Sequence, residues 1–358
     1  MSILCWAALQ LNVTAQVIYV NNAGGQRSSD SSIFHSLQNP DLQLQRIPID
    51  RVQLLPGLFQ QRYQLNKKYM MSLDNDKMLQ NFYYEAGISK TGYIMLNKDM
   101  NHQDFYWGWE SPNNQLRGHF LGHWLSAAAY LIAQTGDMEV KGKADKIVTE
   151  LAECQRINGG QWAGSIPEKY FDLMAQGQQI WSPQYTIHKT LMGLWDMYLV
   201  TGSIQALEVL DRFADWFHAW TGKQIAANNA AAIYGGETSG MLEIWANLYN
   251  VAQHPKYLDL MQRYGHPGMF QALLSGQDVL SNDHANAGIP WSHGAARVYE
   301  VTGNQYWRDI VHAFWKSAVT DRGHYCTGGK TPANIGFRPI NWPILGAKTI
   351  KSIAPCTI

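Results

Sequence analysis

Charge is scarce in this chain. Only 16% of its 358 residues are Asp, Glu, Lys or Arg, and 28 basic side chains balance 28 acidic ones. No lysine- or arginine-rich stripe is available to track a phosphate backbone or an anionic membrane surface, so electrostatics argues for neither nucleic acid nor membrane as a partner. Cysteine is equally sparse. Cys5, Cys154, Cys326 and Cys356 stand far apart, with no C-x-x-C and no zinc-ribbon spacing. That pattern supports neither a disulfide framework nor a metal site. No segment beyond the N-terminus carries the roughly 18 apolar residues that a membrane helix needs, and strand-like alternation is rare. What the chain does have is a 46% hydrophobic fraction, 14 Trp and 18 Tyr. Aromatic rings fill large helical cores and also stack on the apolar faces of sugars, and with so few charges the composition leans towards carbohydrate.

The N-terminal "SILCWAALQLNVTAQ" resembles a short signal peptide with a Val-Thr-Ala exit before Gln16, although it has no positive n-region and Gln10 and Asn12 interrupt its apolar run. Residues 1–35 are expected to be a leader and a disordered segment, and the protein to be periplasmic or extracellular.

Four segments resemble one another, beginning at Tyr130, Tyr198, Tyr249 and Tyr299. Each is an apolar helical stretch, a Gly- or Pro-containing break and a second amphipathic stretch. Gly136, Gly202 and Gly303 suit the left-handed position that ends a helix, and the polar residue after each can begin the next. Recurrence of such a unit every ~50 residues or slightly more predicts a toroid or solenoid of helical hairpins. Phe120, Leu121, Trp124, Leu125, Ala128, Ala129 and Ile132 follow the three- and four-residue spacing of a buried helix. The fold class read from these signals is all-α, a barrel of inner and outer helices.

A barrel of this kind gathers its hairpin-to-hairpin loops at one end, where the inner helices begin. Here those loops read "YWGWESPNNQLRGH", "IWSPQYTIHK", "IYGGETSGMLE" and "SNDHANAGIPWSHG". Polar and aromatic side chains converging on one rim suit a sugar site. The candidate substrate-binding residues are Trp109, His119, His188, Glu243 and His284. His119 and His123 share a helix face, the geometry of two zinc ligands, but no glutamate completes a His-Glu-x-x-His motif. Packing or loop contacts are favoured for that pair over metal. Glu110, Glu237 and Glu243 are carboxylates available for glycosidic hydrolysis, yet no spacing rule pairs any two of them.

The blocks "GWESPNNQLRGHFLGHWLSAAAYLIAQTGD", "IPEKYFD", "YTIHKTLMGL", "HANAGIP", "GAARVYEVTG" and "YCTGG" resemble the bacterial beta-L-arabinofuranosidases of glycoside hydrolase family 127, in the same order from about Val52 to Gly329. The resemblance implies an (α/α)6 barrel over residues 36–331, β-sandwich domains beyond it, and retaining hydrolysis of beta-linked L-arabinofuranose. It also implies a zinc held by cysteines and a glutamate, with one thiolate as nucleophile. By position, His188 and His284 match histidines that contact the sugar, and Glu243 matches a rim carboxylate.

The tail departs from that pattern. An acid/base glutamate is expected shortly after "TGG", where this chain reads "TGGKTPANIGF" with Ile335 near the place. A Glu-x-Cys block is expected after "LGxKTI", where Lys351 and a single Cys356 stand instead. One-base shifts through synonymous codons for "APCTI" and "PINWPI" restore family-like sequence, so residues 332–358 read as a frame-disturbed tail and the barrel as incomplete at its C-terminus. On this reading no catalytic residue is intact and this chain holds no zinc or other cofactor. The partner remains an arabinose-containing oligo- or polysaccharide. The expectation is a glycosidase by descent with little or no turnover; the alternatives are a non-catalytic sugar-binding barrel and another α/α-barrel enzyme, such as a sugar epimerase or unsaturated-uronide hydrolase.

Overall fold

The computed structural model describes residues 47, 49–88 and 105–322. These residues form helices joined by turns and loops. Helix α1 (Leu58–Ser72) is followed by two short helices, α2 (Asn75–Met78) and α3 (Gln80–Glu85). The four hairpins expected from sequence then appear in order. They are α4 (His119–Thr135) with α5 (Met138–Ile157), α7 (Pro183–Thr201) with α8 (Ile204–Ala226), α9 (Met241–Ala252) with α10 (Pro255–Arg263), and α12 (Ala285–Thr302) with α13 (Gln305–Trp315). Short helices α6 (Lys169–Ala175) and α11 (Pro267–Leu274) decorate the connections.

Local chemistry sets each hairpin turn. Gly136, Gly202 and Gly303 adopt φ of 68°, 74° and 68°, the left-handed conformation that glycine reaches without a Cβ penalty. Asp137, Ser203 and Asn304 follow immediately, and each side chain accepts a backbone N–H of the next helix. The third hairpin departs from this rule. Gln253 takes the left-handed position at φ 47°, His254 caps through its ring nitrogen, and Pro255 fills the first helical turn.

Helices α4, α7, α9 and α12 pack side by side as an inner row, while α5, α8 and α10 form the outer row. The inner helices bury residues on most of their circumference, as α7 does from Pro183 to Leu199. The outer helix α5 buries a single stripe: Val140, Ala144, Ile147, Val148 and Leu151. Two glycines bring α4 and α7 unusually close. A Cβ at Gly122 would fall 1.9 Å from the Lys189 carbonyl oxygen, and one at Gly193 would fall 2.7 Å from the Gly122 oxygen.

Most of the aromatic load goes into this core rather than onto the surface. Trp124, Trp162, Trp195, Trp220, Trp245 and Trp291 are buried. Trp162 meets Phe171 and Phe213 edge-on at 5.5 and 5.1 Å, within a cluster that continues through Trp216 and Phe217. The tryptophan content that suggested sugar stacking is therefore largely a packing device, with Trp109 and Trp181 as exposed exceptions on the loop rim. The leader at 1–35, the boundaries at 35/36 and 331/332, the "YCTGG" block and the tail 332–358 lie outside the described residues.

Candidate sugar-binding cleft

The site is built where the inner helices begin. The loop before α4 is pinned from below, because the Gln80 and Asn81 amides both donate to the Glu110 carbonyl at 2.9 Å. Gly118 closes that loop at φ 85°, against Ser165. The Glu110 carboxylate then caps α4, accepting from the backbone N–H of Gly118 at 2.6 Å and of Phe120 at 3.1 Å. A carboxylate at a helix N-terminus satisfies orphan donors and complements the dipole. Glu110, a hydrolytic candidate in the sequence, is thus committed to structure.

His119 stands on this cap. Its Nδ1 lies 2.8 Å from Glu110 Oε1 and 3.0 Å from the Leu116 carbonyl. Both neighbours are acceptors, so Nδ1 carries a proton. Trp109, exposed, lies 5.8 Å from the His119 ring, Tyr185 lies 6.4 Å away, and His123 meets it edge-on at 6.0 Å. His123, one turn along α4, is exposed. The surrounding walls and the Lys189 ammonium hold its imidazole down to about 4. Among the described residues, no group of three or more His, Cys, Asp or Glu side chains could hold a metal ion.

On α7, Tyr185, His188 and Lys189 fall three and four residues apart and share one face. His188 is wedged against Gly240, where a Cβ would lie 2.6 Å from its ring. It hydrogen-bonds the Gly240 backbone while its Nε2 is left without a partner. Burial and the adjacent Lys189 hold His188 well below the ordinary histidine range. Lys189 places Nζ 4.2 Å from the centre of the Tyr185 ring, a cation–π contact. Burial lowers its affinity for a proton, opposed by the fields of Glu237 and Glu243. Burial and Glu237 push the Tyr185 phenol up.

Two further elements complete the rim. Glu243 lies half-buried in the first turn of α9, and Glu237 sits just ahead of that helix. His284, in the position before α12, brings Nε2 to 3.7 Å from Glu237 Oε1. A separate bond ties two rim loops, because the Trp181 backbone N–H donates to Gln115 Oε1 at 2.6 Å. The structure therefore joins Trp109 directly to His119, sets His188 and Glu243 in the field of Lys189, and places His284 against Glu237. Sequence reasoning passed over Tyr185 and Lys189, although their i, i+4 spacing on a helix was visible in "YTIHK". Cavities of about 560 and 590 Å³ lie elsewhere. One is lined by Tyr249, Tyr306 and Trp307 at the turn end, and the other by Tyr84, Arg117 and Tyr170 behind the rim.

Residues 51–341 match the family model of the beta-L-arabinofuranosidase GH127 catalytic domain. The chain belongs to glycoside hydrolase family 127. A relative, the non-reducing end beta-L-arabinofuranosidase of Bifidobacterium longum subsp. longum, is 26% identical over 254 residues, covering 60% of this chain and 37% of that protein. A crystal structure of a GH127 beta-L-arabinofuranosidase from Geobacillus stearothermophilus T6 aligns at 18% identity and a TM-score of 0.49, covering 81% of this chain and 46% of that one. The chain thus spans less than half the length of either protein. The zinc that the family resemblance implies does not fit the described residues. Their one cysteine, Cys154, is buried in the outer helix α5, and no ligand cluster accompanies it. Lys351 and Cys356, which stand where the zinc motif is expected, lie outside the described residues.

Proposed function

We propose that this family 127 chain binds beta-linked L-arabinofuranose from plant glycans at the inner-helix rim and, as the sequence stands, hydrolyses it little or not at all. The observation that carries the binding half is the convergence of Trp109, His119, His188, Glu243 and His284 on the starts of four consecutive inner helices. Histidine nitrogens and carboxylates recognise hydroxyl groups, and an exposed tryptophan offers a face to the apolar side of a sugar ring. The observation behind the catalytic half is sequence-level: residues 323–358 contain no Asp or Glu. A glycosidase needs a positioned acid/base and a nucleophile, which supply much of its rate enhancement. Within the described residues, Glu110 caps a helix, and Glu237 lies against His284. The signal-like N-terminus and a plant-glycan substrate favour a periplasmic or extracellular setting.

The test is zinc content together with arabinose release from p-nitrophenyl beta-L-arabinofuranoside, measured on this chain and on a frame-restored version. The expected outcome is zinc and turnover in the restored protein alone. Turnover by the chain as given would place its catalytic pair among residues 1–330 and overturn the silent-barrel half of the reading.

A further inference from the structure

Lys189 is the residue of the cleft that the family reading leaves without a task. Its main chain is fixed against α4, because its carbonyl oxygen occupies the space a Cβ at Gly122 would need. Its ammonium lies over Tyr185, within electrostatic reach of His123 and within the fields of Glu237 and Glu243. Among the described residues no carboxylate comes within the 4 Å of an ion pair, and no acceptor takes a hydrogen bond from it. Lys189 is half-buried, and an ammonium has three N–H donors that a ligand's oxygens can take in place of water. An aromatic face meets only one side of the cation.

We propose that Lys189 is a ligand-positioning residue of the cleft, donating to hydroxyl oxygens of a bound neutral pentofuranoside from its seat over Tyr185. A neutral sugar fits better than an acidic one, because the two carboxylates facing Lys189 already outnumber its charge. The inference rests on the sugar-cleft reading and extends it to a residue outside the histidine set. Lys189 also acts on its neighbours. Four titratable groups act on or with His123: Lys189 and His188 from α7, His119 from α4, and Glu110 from the preceding loop. Burial, Lys189 and His119 disfavour the imidazolium and Glu110 favours it, which holds the ring down to about 4, so at neutral pH it offers one donor and one acceptor to the ligand. Without the ammonium one of the causes that depress His123 is lost, so its titration moves upward while burial still holds it below the ordinary histidine range.

The experiment compares wild type, Lys189→Met and Lys189→Arg. Titration calorimetry with methyl beta-L-arabinofuranoside measures affinity, and NMR of the imidazole protons follows His123 against pH. The expected result is a loss of about 10- to 100-fold in affinity for Lys189→Met, the range for hydrogen bonds to a charged donor. Lys189→Arg should recover part of it, and the His123 titration should move upward in the Met variant alone. If wild type binds the glycoside and Lys189→Met binds it equally well, this inference is wrong and the sugar cleft stands. If both variants weaken equally and His123 titrates unchanged, Lys189 is a packing residue and the inference is again wrong. If wild type binds no glycoside, the cleft reading fails and takes this inference with it.

Discussion

Two glutamates in the rim loops look alike in sequence and act differently. Glu110 gives its oxygens to the backbone of α4 and to His119, whereas the nearest charged partner of Glu237 among the described residues is His284, at 3.7 Å. Removing a helix cap costs about 1–2 kcal/mol, and removing a loosely held loop charge costs within about 0.5 kcal/mol. Glu110→Ala should therefore lower the urea midpoint clearly, and Glu237→Ala should leave it nearly unchanged. Equal effects would mean that the capping role is misassigned. At this scale the sequence was informative about place and poor about role. His119, His188 and His284 were readable as rim residues because each precedes or opens an apolar helical run. That His188 is wedged beneath Gly240, while His123 is exposed, depends on how close α7 and α9 approach. Lys189 was missed because a lysine in a helix is ordinarily a solvated charge, and only the packing of α4 against α7 encloses it.

Helix pairs were the most legible level. A Thr-Gly-Asp, Thr-Gly-Ser or Thr-Gly-Asn turn carries its own physical signal, a left-handed glycine followed by a capping side chain, and all three turns formed as expected. The α1–α3 region gave no comparable signal. Its turn uses Leu73 in an extended conformation and Asp74 as the cap, without a glycine. Glycines inside helices were opaque for a different reason, since their meaning depends on the neighbouring helix. Gly122 faces the backbone of α7, while Gly142 on α5 has nothing within 4 Å of where its Cβ would lie. The same substitution should thus have opposite signs. Gly122→Ala forces α4 and α7 apart, at a cost of about 1–3 kcal/mol or more. Gly142→Ala should stabilise by about 0.5–1 kcal/mol through helix propensity alone. Thermal or urea unfolding of the two variants checks this, and a neutral Gly122→Ala would contradict the close inner packing.

For the whole molecule, composition pointed at carbohydrate partly for the wrong reason. Among the described residues six tryptophans are buried in the helical core, and Trp109, Trp181 and Trp315 are exposed. The stronger pointer was topological: hairpins in series place the inner helix starts, and hence the hairpin-to-hairpin loops, at one end. That arrangement separates two kinds of histidine. His119, His123 and His284 lie at the loop rim, while His254 caps a hairpin turn at the opposite end and His312 lies on the outer helix α13. The most direct measurement is therefore a titration of the chain with methyl beta-L-arabinofuranoside, followed through the assigned imidazole proton resonances. The account predicts saturable shifts at His119, His123 and His284 with none at His254 or His312. Shifts confined to His254 and His312, or no shifts at any ligand concentration, would contradict a sugar cleft at the inner-helix rim.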